Sequence, residues 1–509
     1  MRKYFIVVGA LLNFGVLFTI LFAFQYILAS GLSLPVFSEK VTEKISVNQP
    51  NLYKIAAPFL NALSYFAVEN KYFRQIDLQH WSGIGASVTN STKFPQKLAT
   101  LTSRYQTVNV SNEKELKKAL ASAKAGQTIV IAPGEYYFSS YRVIPKGIGT
   151  SVNPIRLTAA KLGTVKIFLK GEGFFVQDPY WQFSNLHVIG DCKRHADCHH
   201  AFHIVGKAHH TIINNNIMQD FNAMIKVNGV GRNFPDYGRA VENTFFNSSA
   251  RNTVEPVTPF DLMQANEWQV SNNFFYDIQK SAGDKVSYAA FFKGGSSNGI
   301  FERNLIICSA NLPNKYTAVG LSLGGGGSPM RYRRNNNKAE HLGGIIRHNI
   351  IMHCANDVGI YLNKAQGSRV EHNILYNTQG IDLRFLETDA YVANNIISGR
   401  IHIRDRAKLN NRNNLVVRRD FITGEDSLSD YFVAPEKGDF TFKSHIDIES
   451  LNKPTDNSVI STNEVISTDF CGKLPKYAYL GAYVGNYFCL EKLNLASKTM
   501  KRGNHAATL

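Results

Sequence analysis

Apolar and polar residues alternate in a set of short runs: AMIKVN, PFDLMQ, AAFFKGG, VGLSLGG, VGIYLNK, QGIDLRF and GRIHIRD. A period of two marks a strand with one buried face. Roughly ten to fifteen residues after most of these runs comes an Asn followed by two or three apolar residues. The phrase recurs at Asn185, Asn216, Asn243, Asn273, Asn304, Asn349, Asn373, Asn395 and Asn414. Its later steps are 24, 22 and 19 residues; earlier ones are nearer 30, and one gap of 45 separates Asn304 from Asn349. Two to three short strands per repeat, without apolar periodicity of helix length, predict an all-β parallel β-helix. Each coil there buries its apolar side by stacking on its neighbours. Asn at the recurring turn position tolerates left-handed backbone, and its amide is placed to bond to the next coil.

The long gap holds LGGGGSPMRYRRNNNKAEHLGG, Leu323 to Gly344. A loop of this length on a solenoid is commonly functional, and Arg331, Arg333, Arg334 and Lys338 make this one basic. The three arginines are expected to bind substrate. No GK[ST] follows the four glycines, which excludes a phosphate loop.

At the N-terminus, Arg2 and Lys3 precede an uncharged apolar run from Tyr4 to Ala29, longer than the roughly 20 residues a bilayer span requires. The expectation is a membrane-spanning signal anchor, with a signal peptide cleaved near ILASG as the alternative. Either way the rest of the chain is exported: anchored in the inner membrane and facing the periplasm, or secreted after cleavage. The expected divisions are 1–30 as anchor or signal, 31–106 as a short helical, membrane-proximal linker, 107–420 as the β-helix, and 421–509 as its C-terminal cap and tail. The linker is apolar at helical spacing from Leu60 to Phe73, a face suited to the membrane or to the first coil.

Six cysteines accord with export. Cys192 with Cys198, and Cys471 with Cys489, are candidate disulfides. CKRHADCHH also packs His195, His199 and His200 beside two cysteines, but at none of the usual zinc spacings, so no metal site is assigned. The formal charge of +17 favours a polyanionic partner. For an exported chain that partner is an acidic polysaccharide, or a membrane surface, rather than nucleic acid.

The solenoid opens VNVSNEKELKKALASAKAGQTIVIAPGEYYF, then NPIRLTAAKLGTVKIFLKGEGFFVQ. Over about residues 107 to 225 this resembles the opening of the chondroitinase B and alginate lyase family of polysaccharide lyases. The ending, DFTFKSH and DFCGKLPKYAYLGAYVG, resembles the closing segment of exported β-helix proteins. The resemblance implies a right-handed parallel β-helix and cleavage of a uronate polysaccharide by β-elimination. In FFKGGSSNGIFERN, Lys293 occupies the family's lysine position. Two features depart from the family. Val286 and Tyr288 stand where its calcium-binding acids are expected, and glycine stands where it has an arginine on the next coil. No cofactor is therefore expected, with calcium the alternative that the missing acids disfavour.

β-Elimination requires neutralisation of the C5 carboxylate, a base for the C5 proton and an acid for the leaving oxygen. A lysine serves as base where surrounding positive charge lowers its pKa, which the net charge of +17 supports. Aligned short strands place Lys293 in or beside a column with Asn228, Asp261, Ser322, Tyr361, Asn363, Asp382, Arg384, His402 and Arg404. Lys293 is the expected base, Tyr361 the acid and Arg384 a charge stabiliser, with Asp261, Asn363 and Asp382 binding sugar hydroxyls. Coils about 4.8 Å apart put Lys293 and Asn363 roughly 10 Å apart. A non-catalytic, membrane-tethered carbohydrate-binding solenoid and a uronan C5-epimerase are the alternatives, the latter disfavoured by the absence of a DPHD stretch. A pectinase-type hydrolase would need clustered aspartates, and Asp261 and Asp382 are far apart.

Overall fold

The computed structural model describes residues 25, 34–64, 84–92, 106–420 except 326, 422, 425–447, 468–474, 479–484 and 489. Three parallel sheets run the length of the chain's central part. One has twelve strands, from Thr107–Val110 to Lys408–Arg412; a second has eleven, from Gly134–Tyr137 to Leu415–Val417. The third has nine, from Phe174–Val176 to Arg400–Arg404. From Ile155 to Arg404 each coil contributes one strand to each sheet in turn, which defines a parallel β-helix. Its inward residues stack in register: Ile129, Leu157, Phe183, Ile213, Ala240, Val270, Phe301, Ile346, Val370 and Val392 follow one another along the first sheet. All are fully buried. The helix Glu113–Ala121 covers the open first coil with Leu116 and Leu120, and Asn112 caps it by accepting from Glu115 N at 2.9 Å.

A buried asparagine ladder joins the first sheet to the second. From Asn216 to Asn395, each ladder N–H donates to Oδ1 of the next asparagine. The left-handed residue is one place earlier than the sequence pattern indicated. Arg303, His348 and His372 have φ of 52°, 55° and 55°, while the ladder asparagines after them remain free to bond along the stack. The coil where the ladder begins is offset: Asn185 itself takes φ 60°, and Leu186 N is the donor to Asn216 Oδ1.

The segment 84–92 lies on the second sheet's early coils, where Ser87 N donates to Asn215 Oδ1 at 2.8 Å. C-terminal residues Leu428, Phe432, Phe440, Phe470 and Leu480 pack against the same sheet's outward Ile350, Ile374 and Ile396. They cover the solenoid's flank. Two helices, Leu34–Asn48 and Pro50–Ser64, precede the solenoid. Lys40 Nζ lies 3.3 Å from Asp357 Oδ2, so the first of these helices meets a late coil. Among the described residues no helix is long and apolar enough to cross a membrane. Apart from residue 25, the run Tyr4–Ala29 lies outside them, as do residues 65–73 of the linker's apolar stretch. Disulfides join Cys192 to Cys198, Cys471 to Cys489 and, beyond the pairs read from the sequence, Cys308 to Cys354.

Candidate active site

The functional columns stand on the outward face of the third sheet. Its strands alternate, with Phe202, Ile225, Phe260, Ala290, Leu321, Ile360 and Ile381 inward and fully buried. One place further along each strand comes the first outward column: His203, Lys226, Asp261, Phe291, Ser322, Tyr361, Asp382 and His402. Two places beyond lies the second, which includes Asn228, Lys293, Asn363, Arg384 and Arg404. The residue opposite Asp261 is thus Lys226, and Asn228 belongs to the neighbouring column. Matching the apolar residues of AMIKVN and PFDLMQ, Ile225 with Phe260, would have revealed Lys226 from sequence.

Lys293 ends the strand Val286–Lys293, half-buried, with its Nζ 3.9 Å from the centroid of the Phe291 ring. Its ammonium has no hydrogen bond or ion pair to a described residue. Burial pushes its pKa below the usual lysine value; Asp261 opposes the shift, Lys226 adds to it and Glu340 opposes it. Asp261 is 5% exposed, its Oδ2 lies 2.8 Å from Lys226 Nζ, and its Oδ1 has no hydrogen-bond partner among the described residues. Burial alone would raise the Asp261 pKa, but Lys226 and Lys293 hold it below the ordinary value. One strand before Lys226, His203 places Nε2 2.8 Å from Asn228 Oδ1 and Nδ1 3.2 Å from Glu172 Oε2. Neither His203 nor Glu172 was among the expected site residues.

The Gly-rich insertion is fastened to the turn after Lys293. Gly294 N donates to Glu340 Oε2 at 2.9 Å, Arg334 N to Gly294 O at 2.8 Å and Gly295 N to Glu340 O at 2.8 Å. The glycine run has a steric cause at Gly324, which has φ 72° and whose added Cβ would meet Asn363 O at 1.8 Å. The three arginines expected at the substrate separate. Arg333 is buried on Glu340 at 3.0 Å and on Ser328 O at 2.9 Å. Arg334 is drawn onto Asp236 at 2.8 and 3.1 Å, over the Phe234 ring. Arg331 alone of the three is exposed, against Tyr332. The carboxylates of Glu340 and Asp236 thus engage the other two guanidinium groups.

Tyr361, Asn363, Arg384 and Asp382 form a separate cluster. Asn363 Nδ2 donates to Tyr361 Oη at 2.9 Å, and Arg384 Nε to Asp405 Oδ2 at 2.7 Å. Arg404 grips both oxygens of Asp382, at 3.1 and 3.0 Å from Nε, and His402 Nδ1 lies 3.5 Å from the same carboxylate. Hydrogen bonding to Asp405 raises the Arg384 pKa. The strand Thr317–Gly324 separates Tyr361 from Lys293, about 10 Å at the backbone. The sheet therefore holds the expected base and acid apart.

The residues beside Lys293 do not suit calcium, which takes six to eight oxygen ligands. Val286 and Tyr288 supply no carboxylate, and the nearby Asp261 is engaged by Lys226. Among the described residues no three His, Cys, Asp or Glu side chains converge to hold a metal.

Residues 110–302 match the family model described as Chondroitinase B. The likeness read in the sequence to these polysaccharide lyases therefore holds over a segment containing His203, Lys226, Asp261 and Lys293 and ending before Tyr361. No curated protein matches the chain. Among solved structures, pectate lyase Pel9A is 14% identical, with 75% of this chain and 96% of that one covered and a TM-score of 0.49. A polysaccharide lyase from Pseudopedobacter saltans is 14% identical, covering 64% and 94%, with a TM-score of 0.36. An alginate lyase from Paenibacillus sp. is 15% identical, covering 61% and 95%, with a TM-score of 0.32.

Proposed function

We propose that this chain is an exported, right-handed β-helix lyase that cleaves a uronate-containing polysaccharide by β-elimination, with Lys293 as base. The observation that carries this reading is a half-buried lysine with no ion-pair partner among the described residues, its pKa lowered by burial, within the family-matched segment. A neutral Lys293 amine takes the C5 proton. The C4–O4 bond breaks as the C4=C5 double bond forms. Tyr361 is two strands away, so the nearest donor to a leaving oxygen above Lys293 is the ammonium just formed there. Tyr361, Asn363 and Arg384 bind sugars further along the groove. Arg331 and Lys338, both exposed on the insertion, attract the anionic chain. Export agrees with three disulfides, and the apolar run Tyr4–Ala29 is the proposed inner-membrane tether.

Mass spectrometry of products from alginate, chondroitin, dermatan, hyaluronan and pectate tests the reading. Unsaturated uronate ends support it. Binding without any new chain end favours the second reading, a tethered carbohydrate-binding solenoid, for which the ion-paired cluster from Tyr361 to Arg404 speaks.

A further inference from the structure

Two lysines flank one carboxylate on the outward face of the third sheet, and only one of them is paired with it. Lys226 stands opposite Asp261 in register, with Nζ 2.8 Å from Oδ2. Lys293 lies on the strand following Asp261, two places further along. Asp261 Oδ1 is buried and has no hydrogen-bond partner among the described residues, so a second cation has an oxygen available to it. We propose that Lys226 is a positioning residue which, by occupying Asp261, keeps Lys293 discharged and available as a base. The proposal rests on the reading of Lys293 given above and deepens it.

The other charges around Lys293 leave Asp261 as the deciding one. On its own strand the neighbour is the Phe291 ring. The preceding strand offers Met263 opposite it, and the following strand offers Gly324 after Leu323, which pairs with Phe292. From the insertion comes Glu340, whose carboxylate is matched by Arg333 at 3.0 Å. His200, further back, is buried and neutral above about pH 3. With Lys226 present, the Asp261 charge is matched as well. Without Lys226, the uncompensated carboxylate beside Lys293 would draw a proton onto its amine.

The test reads Lys293 directly. The folded protein is acylated with acetic anhydride across a pH series, and the Lys293 peptide is quantified by mass spectrometry. In Lys226→Met the labelling midpoint is expected to rise by on the order of one pH unit, and Lys226→Arg should restore it. The double variant Lys226→Met/Asp261→Asn should also return it to the wild-type value. It serves as the deciding protein if the single variant does not fold. An unmoved midpoint in Lys226→Met, or a raised midpoint that persists in the double variant, overturns the proposal. Labelling that shifts as expected while no polymer is cleaved would refute the lyase reading alone.

Discussion

Arg333 Nη2 lies 3.0 Å from Glu340 Oε1, with the two side chains 6% and 0% exposed. This buried pair holds the insertion closed on itself. Through Gly294 N it also anchors the insertion to the turn behind Lys293.

Removing one partner leaves the other charge buried and uncompensated, a loss of about 3–5 kcal/mol. Arg333→Ala should therefore lower the melting temperature and open residues 325–340 to proteolysis. Arg333→Met combined with Glu340→Leu should recover much of the stability. Equal loss in the single and double variants would show that the pair is not what anchors the loop.

The asparagine ladder is similarly exposed to single deletions. Asn304→Ala removes the acceptor for Asn273 N and the donor to Val270 O, both buried bonds of 3.0 and 2.9 Å. Each stranded group costs about 1–3 kcal/mol. With two groups stranded, denaturant unfolding should show a loss of about 2–6 kcal/mol, larger than for Arg303→Ala, whose side chain lies outside the ladder.

The coil pattern was legible because strand period and the Asn phrase repeat through the chain. The side chains of the site were less so. Sequence placed Lys293 on the outward face, and strand counting gave its distance from Asn363. Lys226 was not among the residues so placed: its place opposite Asp261 follows only when AMIKVN and PFDLMQ are matched on Ile225 and Phe260. Nor did sequence show Arg333 turned inward, since that depends on how the insertion folds back to bring Glu340 over Gly294. Cys308 and Cys354 lie on successive coils brought together only by the 45-residue step between Asn304 and Asn349.

Cys308 and Cys354 close a loop of sequence separation 46 that contains the insertion. Replacing both with Ser should cost about 2–4 kcal/mol, and reductant should reproduce part of that loss in the wild-type protein. A melting temperature unchanged by the double substitution would argue against a stabilising role.

Acid should destabilise the fold through its buried histidines. Burial lowers His341 and His200 from 6.5 to about 3, and His187 and His372 to about 4. Unfolded histidines then bind protons that the folded ones do not. Their stabilising contribution is complete above pH 6.5 and is lost as pH falls toward 3 to 4, at about 1.4 kcal/mol for each pKa unit. Melting temperatures recorded between neutral pH and pH 4 should fall, and less steeply for His341→Gln. A flat profile would contradict the assignment of these side chains as neutral in the fold.

The central claim is that Lys293 is the base of a β-elimination. Its most direct measurement is the rate of ultraviolet absorbance growth from the unsaturated uronate, on the polymer that the wild-type protein cleaves. Lys293→Ala should abolish that rate by several orders of magnitude while binding of the polymer persists. Tyr361→Phe should retain most of it. Full activity in Lys293→Ala, or loss in Tyr361→Phe alone, would contradict the account and move the chemistry two strands along the groove.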